Sequence, residues 1–348
     1  MILAAVAALA TPWAQVAPTE QAAIARTPDG VVHVAYAQGG QLFYSRPGTG
    51  TTVPIGAGPD VRPTLVAAPD GLRVYAGAVS AVSPDGGATW QVGPSGAAGE
   101  VSADGGLLAW TESNRVRVGG FDFGLGAFPA LAPGMLAWDA GDDGVRVQGI
   151  GADGAAAGEP ATMPDSAGQG RPSIVARAGG GWVVSAGSTV WRVGARSTLR
   201  LDGWGSALSA DARGRVWATW TDDKRVYAAR SDRDVSELGA PVDLGPFYAE
   251  RLAVSATNTA AHVLVAANGV SSLKRTLPGL TLDERHRREI FTFSVTDAGD
   301  PVRGAVVKVG RRSGKTDRNG RVTLRVSGRK ARVTATLKGY TSARLTTK

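Results

Sequence analysis

The stretch Gly71–Trp90 reads GLRVYAGAVSAVSPDGGATW. Two short apolar runs rich in β-branched and aromatic residues flank one Gly turn, and the second runs into a Ser-Pro-Asp-Gly-Gly turn, which is the signature of paired strands. The same plan returns in hairpins that begin at Gly30, Gly106, Gly134, Gly181, Gly214 and Ala261. A repeat of about forty residues built only from strand signals matches one four-stranded propeller blade per repeat. Apolar runs ahead of the hairpins, RPTLVAAPDG from Arg62, RPSIVARAGGG from Arg171, GSALSADARG from Gly205 and RLAVSATNTA from Arg251, suit innermost strands, because Ala, Ser and Thr let strands crowd at an axis. The expected fold is all-β: a seven-bladed β-propeller, or six-bladed because the third and fourth units are short, followed by a small C-terminal β-sandwich.

Composition supports this reading. Of 348 residues 48 are Gly, a share about twice the usual ~7%, with no collagen period, so the Gly mark turns. The net charge of +8 is unevenly placed: residues 285–348 hold 17 Lys and Arg against 4 Asp and Glu, and the rest of the chain is net acidic. The basic character belongs to one module rather than to the whole protein, which argues against a nucleic-acid partner for the propeller. With no Cys and three scattered His (His33, His262, His286), no metal site and no cofactor is expected.

Residues 1–17 open with nine apolar residues ending in Ala8-Leu9-Ala10, a small-x-small pattern suited to signal-peptide cleavage, although no basic residue precedes Arg26. The run is too short to span a bilayer, which takes ~20 residues. The expected organisation is a signal peptide over 1–17, the propeller over 18–278, a charged linker over 279–289 and the sandwich over 290–348, in a secreted or cell-surface bacterial protein. In the last segment IFTFSVTD, GAVVKVG, GRVTLRVS and ARVTATLKGY alternate with period two.

Ser83-Pro84-Asp85-Gly86-Gly87-Ala88-Thr89-Trp90 fits Ser-x-Asp-x-Gly-x-Thr-Trp and resembles the Asp box of sialidase-type and BNR-repeat propellers. The resemblance covers about residues 20–275 and implies that Ser83, Asp85, Gly87, Thr89 and Trp90 staple a hairpin at the outer rim. Tyr44-Ser45-Arg46 and Ala229-Arg230-Ser231-Asp232 resemble degraded copies of it. In the terminal segment, Val295-Thr296-Asp297, Gly299-Asp300-Pro301-Val302-Arg303-Gly304-Ala305, Thr316-Asp317 with Gly320, and Ala335 to Tyr340 follow in the order that resembles a carboxypeptidase regulatory-like (transthyretin-like, Ig-like) domain, a non-catalytic spacer or adhesion module of exported proteins.

The sialidase resemblance also names a chemistry to test. Such enzymes hold a substrate carboxylate with three Arg and attack with a Tyr activated by a Glu. Arg62, Arg171 and Arg251 each open an innermost strand, of the second, fifth and seventh blades, and superposed blades would aim all three into one funnel. Tyr248 and Glu250 are the matching nucleophile and base. Against this stand the lack of an Arg-Ile-Pro motif in the first blade, no convincing Asp acid, and no room for pocket-building loops. The leading expectation is a non-catalytic binding or scaffold protein, with a sialidase-like glycoside hydrolase acting on an acidic sugar as the alternative.

His33 and His262 lie inside hairpin strands and are expected to pack, as are Trp110, Trp138, Trp182, Trp217 and Trp220. Asp142-Asp143 and Asp222-Asp223 read as turn acids. Arg311, Arg312, Lys315, Arg318, Arg321, Arg325, Arg329, Lys330 and Arg332 are expected to make one strongly positive solvent face. The partners this face suits are anionic polysaccharide, wall polymer or a surface protein.

Overall fold

A computed structural model of the chain describes residues 12–326 and 330–347. Most of the expected signal segment, and Arg329 of the expected basic face, lie outside the described residues.

Among the described residues, residues 14–276 form seven four-stranded antiparallel sheets, six of them built from strands consecutive in sequence. The innermost strands are Ala22–Arg26, Thr64–Ala68, Val101–Asp104, Ala127–Ala132, Pro172–Ala176, Trp204–Ala210 and Arg251–Ala256. Each lies against the next, and the seventh returns to the first. Apolar clusters sit between consecutive sheets all the way round, for example Leu42, Leu65 and Val74 between the first and second, and Trp217, Leu244, Leu252 and Val263 between the sixth and seventh. An eighth cluster, centred on Phe293, Val307 and Val333, belongs to the C-terminal module. The architecture is therefore a β-propeller followed by a β-sandwich, and the core of the first lies between blades rather than within any one of them.

The ring is closed by the amino-terminal segment. Strand Ala14–Ala17 pairs with Val270–Thr276 and completes the seventh blade, with Ala14 opposite Leu273 and Gln15 opposite Ser272. This corrects the expected boundary of a signal peptide at residue 17, because Ala14–Ala17 belong to the fold. An unpaired outer edge on Val270–Thr276 would be an aggregation template. Ser271 Oγ donates to Thr19 O (2.7 Å) and Gly269 N to Glu20 Oε1 (2.5 Å), which pins the segment on either side of its turn.

The expected linker is also corrected. Thr281–Arg287 is a strand that pairs along its whole length with Ile290–Asp297. Its charge run misled because this strand is the edge of its sheet, where Asp, Glu and Arg are tolerated and discourage edge-to-edge pairing. The sandwich consists of that sheet, which continues to Arg321–Arg325, and a second sheet ordered Arg312–Lys315, Val306–Val309, Arg332–Thr336, Ala343–Thr346.

The sandwich docks on the sixth blade through charge. The Asp297 carboxylate, 3% exposed, accepts from Arg215 Nη1 (2.9 Å) and from Arg230 Nη2, while Arg215 Nη2 reaches Asp300. Arg230 also donates from Nη1 to Asn258 O (2.5 Å) and lies over the Trp217 ring. Removing one partner of a buried pair strands the other, at a cost of about 3–5 kcal/mol. Asp297→Ala is therefore expected to lower stability by about that amount and to split thermal unfolding into separate propeller and sandwich transitions. A single unshifted transition in a calorimetric scan would contradict this role.

Candidate functional site

In a propeller all innermost strands run the same way along the axis, so their first residues share one face. Arg62, Glu100, Arg171 and Arg251 sit at or just ahead of the starts of the second, third, fifth and seventh innermost strands. The three Arg lie within electrostatic reach of one another, with a carboxylate among them that sequence reasoning missed. Glu100 Oε1 accepts from Arg251 Nη1 (2.5 Å) and Oε2 from Arg171 Nη1. Arg62 donates from Nε to Ala22 O (3.2 Å).

The electrostatics follow from this packing. Burial, aided by repulsion from Arg251 and Arg171, brings the Arg62 guanidinium down to about 10, with Glu100 pulling against them. Burial pushes the Glu100 carboxyl up, but the hydrogen bonds and charges of Arg171 and Arg251 outweigh it and hold the group below its ordinary value. Arg171 also stacks on Phe128, with its guanidinium carbon 4.2 Å from the ring centroid.

Glu250 immediately precedes Arg251 in the chain, and the Arg251 charge reaches its carboxyl. Tyr248 is 53% exposed. The Glu250 carboxyl is hydrogen-bonded to that of Glu20, and this contact, ahead of burial and repulsion, raises it above the usual carboxylate range. Glu100 thus engages two of the three Arg, Arg171 and Arg251, from within the chain.

The Ser83–Trp90 turn has the geometry its residues require. Asp85 Oδ1 accepts from Thr89 N (2.9 Å), Ala88 N (3.1 Å) and Ser83 Oγ (2.8 Å), and Oδ2 from Thr89 Oγ1 (2.6 Å). Hydrogen bonds from Thr89, first its hydroxyl and then its backbone, lower the Asp85 carboxyl to about 2. Gly87 has φ +98°, and a Cβ there would collide with the Tyr44 ring. Trp90 Nε1 donates to Gly87 O (3.2 Å) and its ring packs on Tyr44. Asp232 repeats part of this in the sixth blade by accepting from Ser236 N (2.7 Å) and Ser236 Oγ (2.6 Å). These turns lie between third and fourth strands, at the face opposite the arginine cluster, and act as staples.

Both strand histidines are satisfied by packing partners. His33 Nδ1 meets Tyr44 OH (2.7 Å) and Nε2 meets Thr27 Oγ1 (3.0 Å), while His262 Nδ1 lies 2.7 Å from Arg26 Nη2. Trp138, Trp217 and Trp220 are buried, whereas Trp110 and Trp182 are half-buried. Asp143 pairs with Arg146 (2.7 Å), and Asp222 caps its own turn through Lys224 N and Arg225 N.

The basic residues of the sandwich are exposed, but the register corrects their expected arrangement on one face. Lys315 and Arg332 lie on the outer side of the second sheet, where cross-strand pairing adds Lys308 and Arg344. Arg321 and Arg325 lie on the outer side of the first sheet, and Arg325 is paired with Glu289 (2.8 Å). Arg311 and Arg318 occupy turns, Arg312 donates to Arg325 O (2.5 Å), and Lys330 is exposed beside the chain segment outside the described residues. Among the described residues no helix is long and apolar enough to cross a membrane, and no group of three His, Asp or Glu is placed to hold a metal ion.

No family model matches the chain, and no curated protein matches it. Solved structures of similar shape include U3-55K, at 14% identity and TM-score 0.51 over 72% of this chain and 94% of that one. A chain of the mitotic checkpoint complex is similar at 12% identity and TM-score 0.46, over 70% of this chain and 86% of that one. The extracellular domain of a putative hybrid two-component system from B. thetaiotaomicron is similar at 10% identity and TM-score 0.45, over 96% of this chain. This chain spans 55% of that last one. At such identities the likeness to U3-55K shows the fold alone.

The depressed Glu100 carboxyl sets a pH dependence. A folded value below the unfolded one, about 4.3 for Glu, stabilises fully above that unfolded value and is lost as pH falls through the folded one. Glu100→Gln is expected to cost about 1–2 kcal/mol at neutral pH, allowing for partial exposure. The gap in melting temperature between wild type and variant should narrow as pH drops below about 4. A gap that stays constant into acid would contradict the pairing.

Proposed function

We propose that this is an exported, non-catalytic binding or scaffold protein, whose C-terminal sandwich contacts an anionic cell-envelope or extracellular polymer while the propeller carries a recognition face. The observation that carries the reading is the outer side of the sheet formed by Arg312–Lys315, Val306–Val309, Arg332–Thr336 and Ala343–Thr346. Lys308, Lys315, Arg332 and Arg344 all project there, exposed, and the four strands contain no Asp or Glu. Flat spacing with Ser313, Thr334, Thr336 and Thr346 between the cations suits a polymer of repeating charge, since adjacent strands lie about 4.8 Å apart.

On this reading the propeller is a sialidase-type relative that keeps the Asp-box turn, and the sandwich is a carboxypeptidase regulatory-like attachment module. The glycoside-hydrolase alternative draws on the convergence of Arg62, Arg171 and Arg251, and Glu100 in their midst weighs against it.

Binding to dextran sulfate or to a teichoic acid should weaken steeply with salt, because each cation engaged releases counterions. Replacing Lys308, Arg332 and Arg344 together with Ser is expected to weaken binding at low salt at least tenfold and to flatten the salt slope. Equal binding by wild type and variant would sink the reading. Hydrolysis of a fluorogenic sialoside is expected to stay at background, and wild-type turnover that disappears in Arg171→Ala would establish the alternative instead.

A further inference from the structure

We propose that the chain assembles head to tail, the basic tip of one copy's sandwich seating on the acidic face of the next copy's propeller.

The fold sets these two surfaces apart. In the sixth blade the innermost strand begins at Trp204 and ends at Ala210, about 20 Å away, beside the Asp211–Arg215 turn where the sandwich docks. The face on which the innermost strands begin, the mouth, is therefore the one the sandwich leaves open. Within the sandwich, Asp297 ends its strand at the dock, and Ile290 begins the same strand about 23 Å away. The turn ahead of Ile290 is thus the distal tip.

Register gathers cations from both sheets at that tip. Arg287 lies across from Ile290 and Ile290 across from Arg325, while Arg312 donates to Arg325 O (2.5 Å) and so brings the turn at 310–311 to the same end. Val309 lies opposite both Arg312 and Val333, which places Arg332 beside them. Arg287, Arg288, Arg311, Arg312 and Arg332 are exposed, and the carboxylate of this turn, Glu289, is taken by Arg325 (2.8 Å).

The mouth has the opposite sign. Glu20, Asp60, Asp202 and Glu250 lead into innermost strands, and Asp142 and Asp223 lie in turns between second and third strands, which antiparallel pairing brings to the same face. None of these six is ion-paired among the described residues. Arg62, Arg171, Arg251 and Lys224 oppose them, but Glu100 already binds Arg171 and Arg251, so negative charge is in excess. It is crowded enough that the Glu250 carboxyl hydrogen-bonds that of Glu20 and is raised above the usual carboxylate range.

Apolar groups match as well. Phe128, Trp204 and Tyr248 are exposed at the mouth, and Ile290 is 55% exposed at the tip between Arg287 and Arg325. Guanidiniums stack on aromatic rings, so the arginine tip finds both carboxylates and rings on this face. Because the two surfaces differ, each docked pair keeps one free tip and one free mouth, and the contact repeats in an open series. The contact stands apart from polymer binding by the outer side of the second sheet.

Sedimentation of the full chain over a range of concentrations, with no polymer present, tests the contact. At low salt the mass should grow past that of a dimer, and it should return to the monomer near 1 M salt, where the Debye length is about 3 Å. Reversal of the tip, Arg287→Glu with Arg311→Glu, and of the mouth, Asp142→Lys with Asp202→Lys, should each leave a folded monomer. Mixed together, the two variants should associate at least tenfold more tightly than either does with itself, since one supplies an intact mouth and the other an intact tip. A wild-type chain that stays monomeric at low salt, a dimer that grows no further, growth untouched by either reversal, or variants that ignore each other on mixing would overturn the proposal. Growth that requires added dextran sulfate would assign assembly to polymer bridging and overturn it equally.

Discussion

A ring of blades has no stable intermediate size: each sheet buries its faces against two neighbours, so every seam must form for any to be complete. The seams here are unequal. Between the second and third blades the buried apolar set is small, Tyr75, Ala97 and Val101, whereas the fourth and fifth share Met135, Val147, Met163, Ile174 and Trp191 among others. Polar ties reach across the axis from the weaker side, since Glu100 of the third blade is bound by Arg171 of the fifth and Arg251 of the seventh. A further tie is the borrowed strand Ala14–Ala17, which joins the two ends of the propeller in one sheet.

Closure fixes directions as well as contacts. Once the innermost strands run in one sense, everything that precedes them meets at one mouth and everything that follows them meets at the other. Arg62, Glu100, Phe128, Arg171, Trp204 and Arg251 fall on the first face. Asp85 and the Asp297 docking cluster, with Arg215 and Arg230, fall on the second. The uneven charge of the chain then has a spatial meaning: the basic module is mounted on the propeller by buried ion pairs and carries its cations away from the mouth.

Much of this was legible in the residues because it is local. Turn Gly, β-branched alternation and small residues on innermost strands act within a single hairpin, so repeats marked the blades. The Asp85 turn is equally local, five fixed positions whose hydrogen bonds close within eight residues. What escaped depends on partners far away in the chain. Ala14–Ala17 looks like the tail of an export segment until Val270–Thr276 is beside it. Glu100 lies in an undistinguished Gly-Ala-Ala-Gly-Glu-Val run, and its one clue was a position just ahead of an innermost strand, the same place that Arg62 and Arg171 hold. Thr281–Arg287 has the composition of a linker and the hydrogen bonds of an edge strand. The positive residues were visible in number, but only cross-strand register divides them between two sheet faces.

Hydrogen exchange of the full chain, measured with and without a bound polyanion such as dextran sulfate, tests the division of labour most directly. The account predicts added protection confined to Val306–Val309, Arg312–Lys315, Arg332–Thr336 and Ala343–Thr346, with the propeller mouth unchanged. Protection that appears instead around Arg62, Glu100 and Arg171, with none on the sandwich, would contradict it.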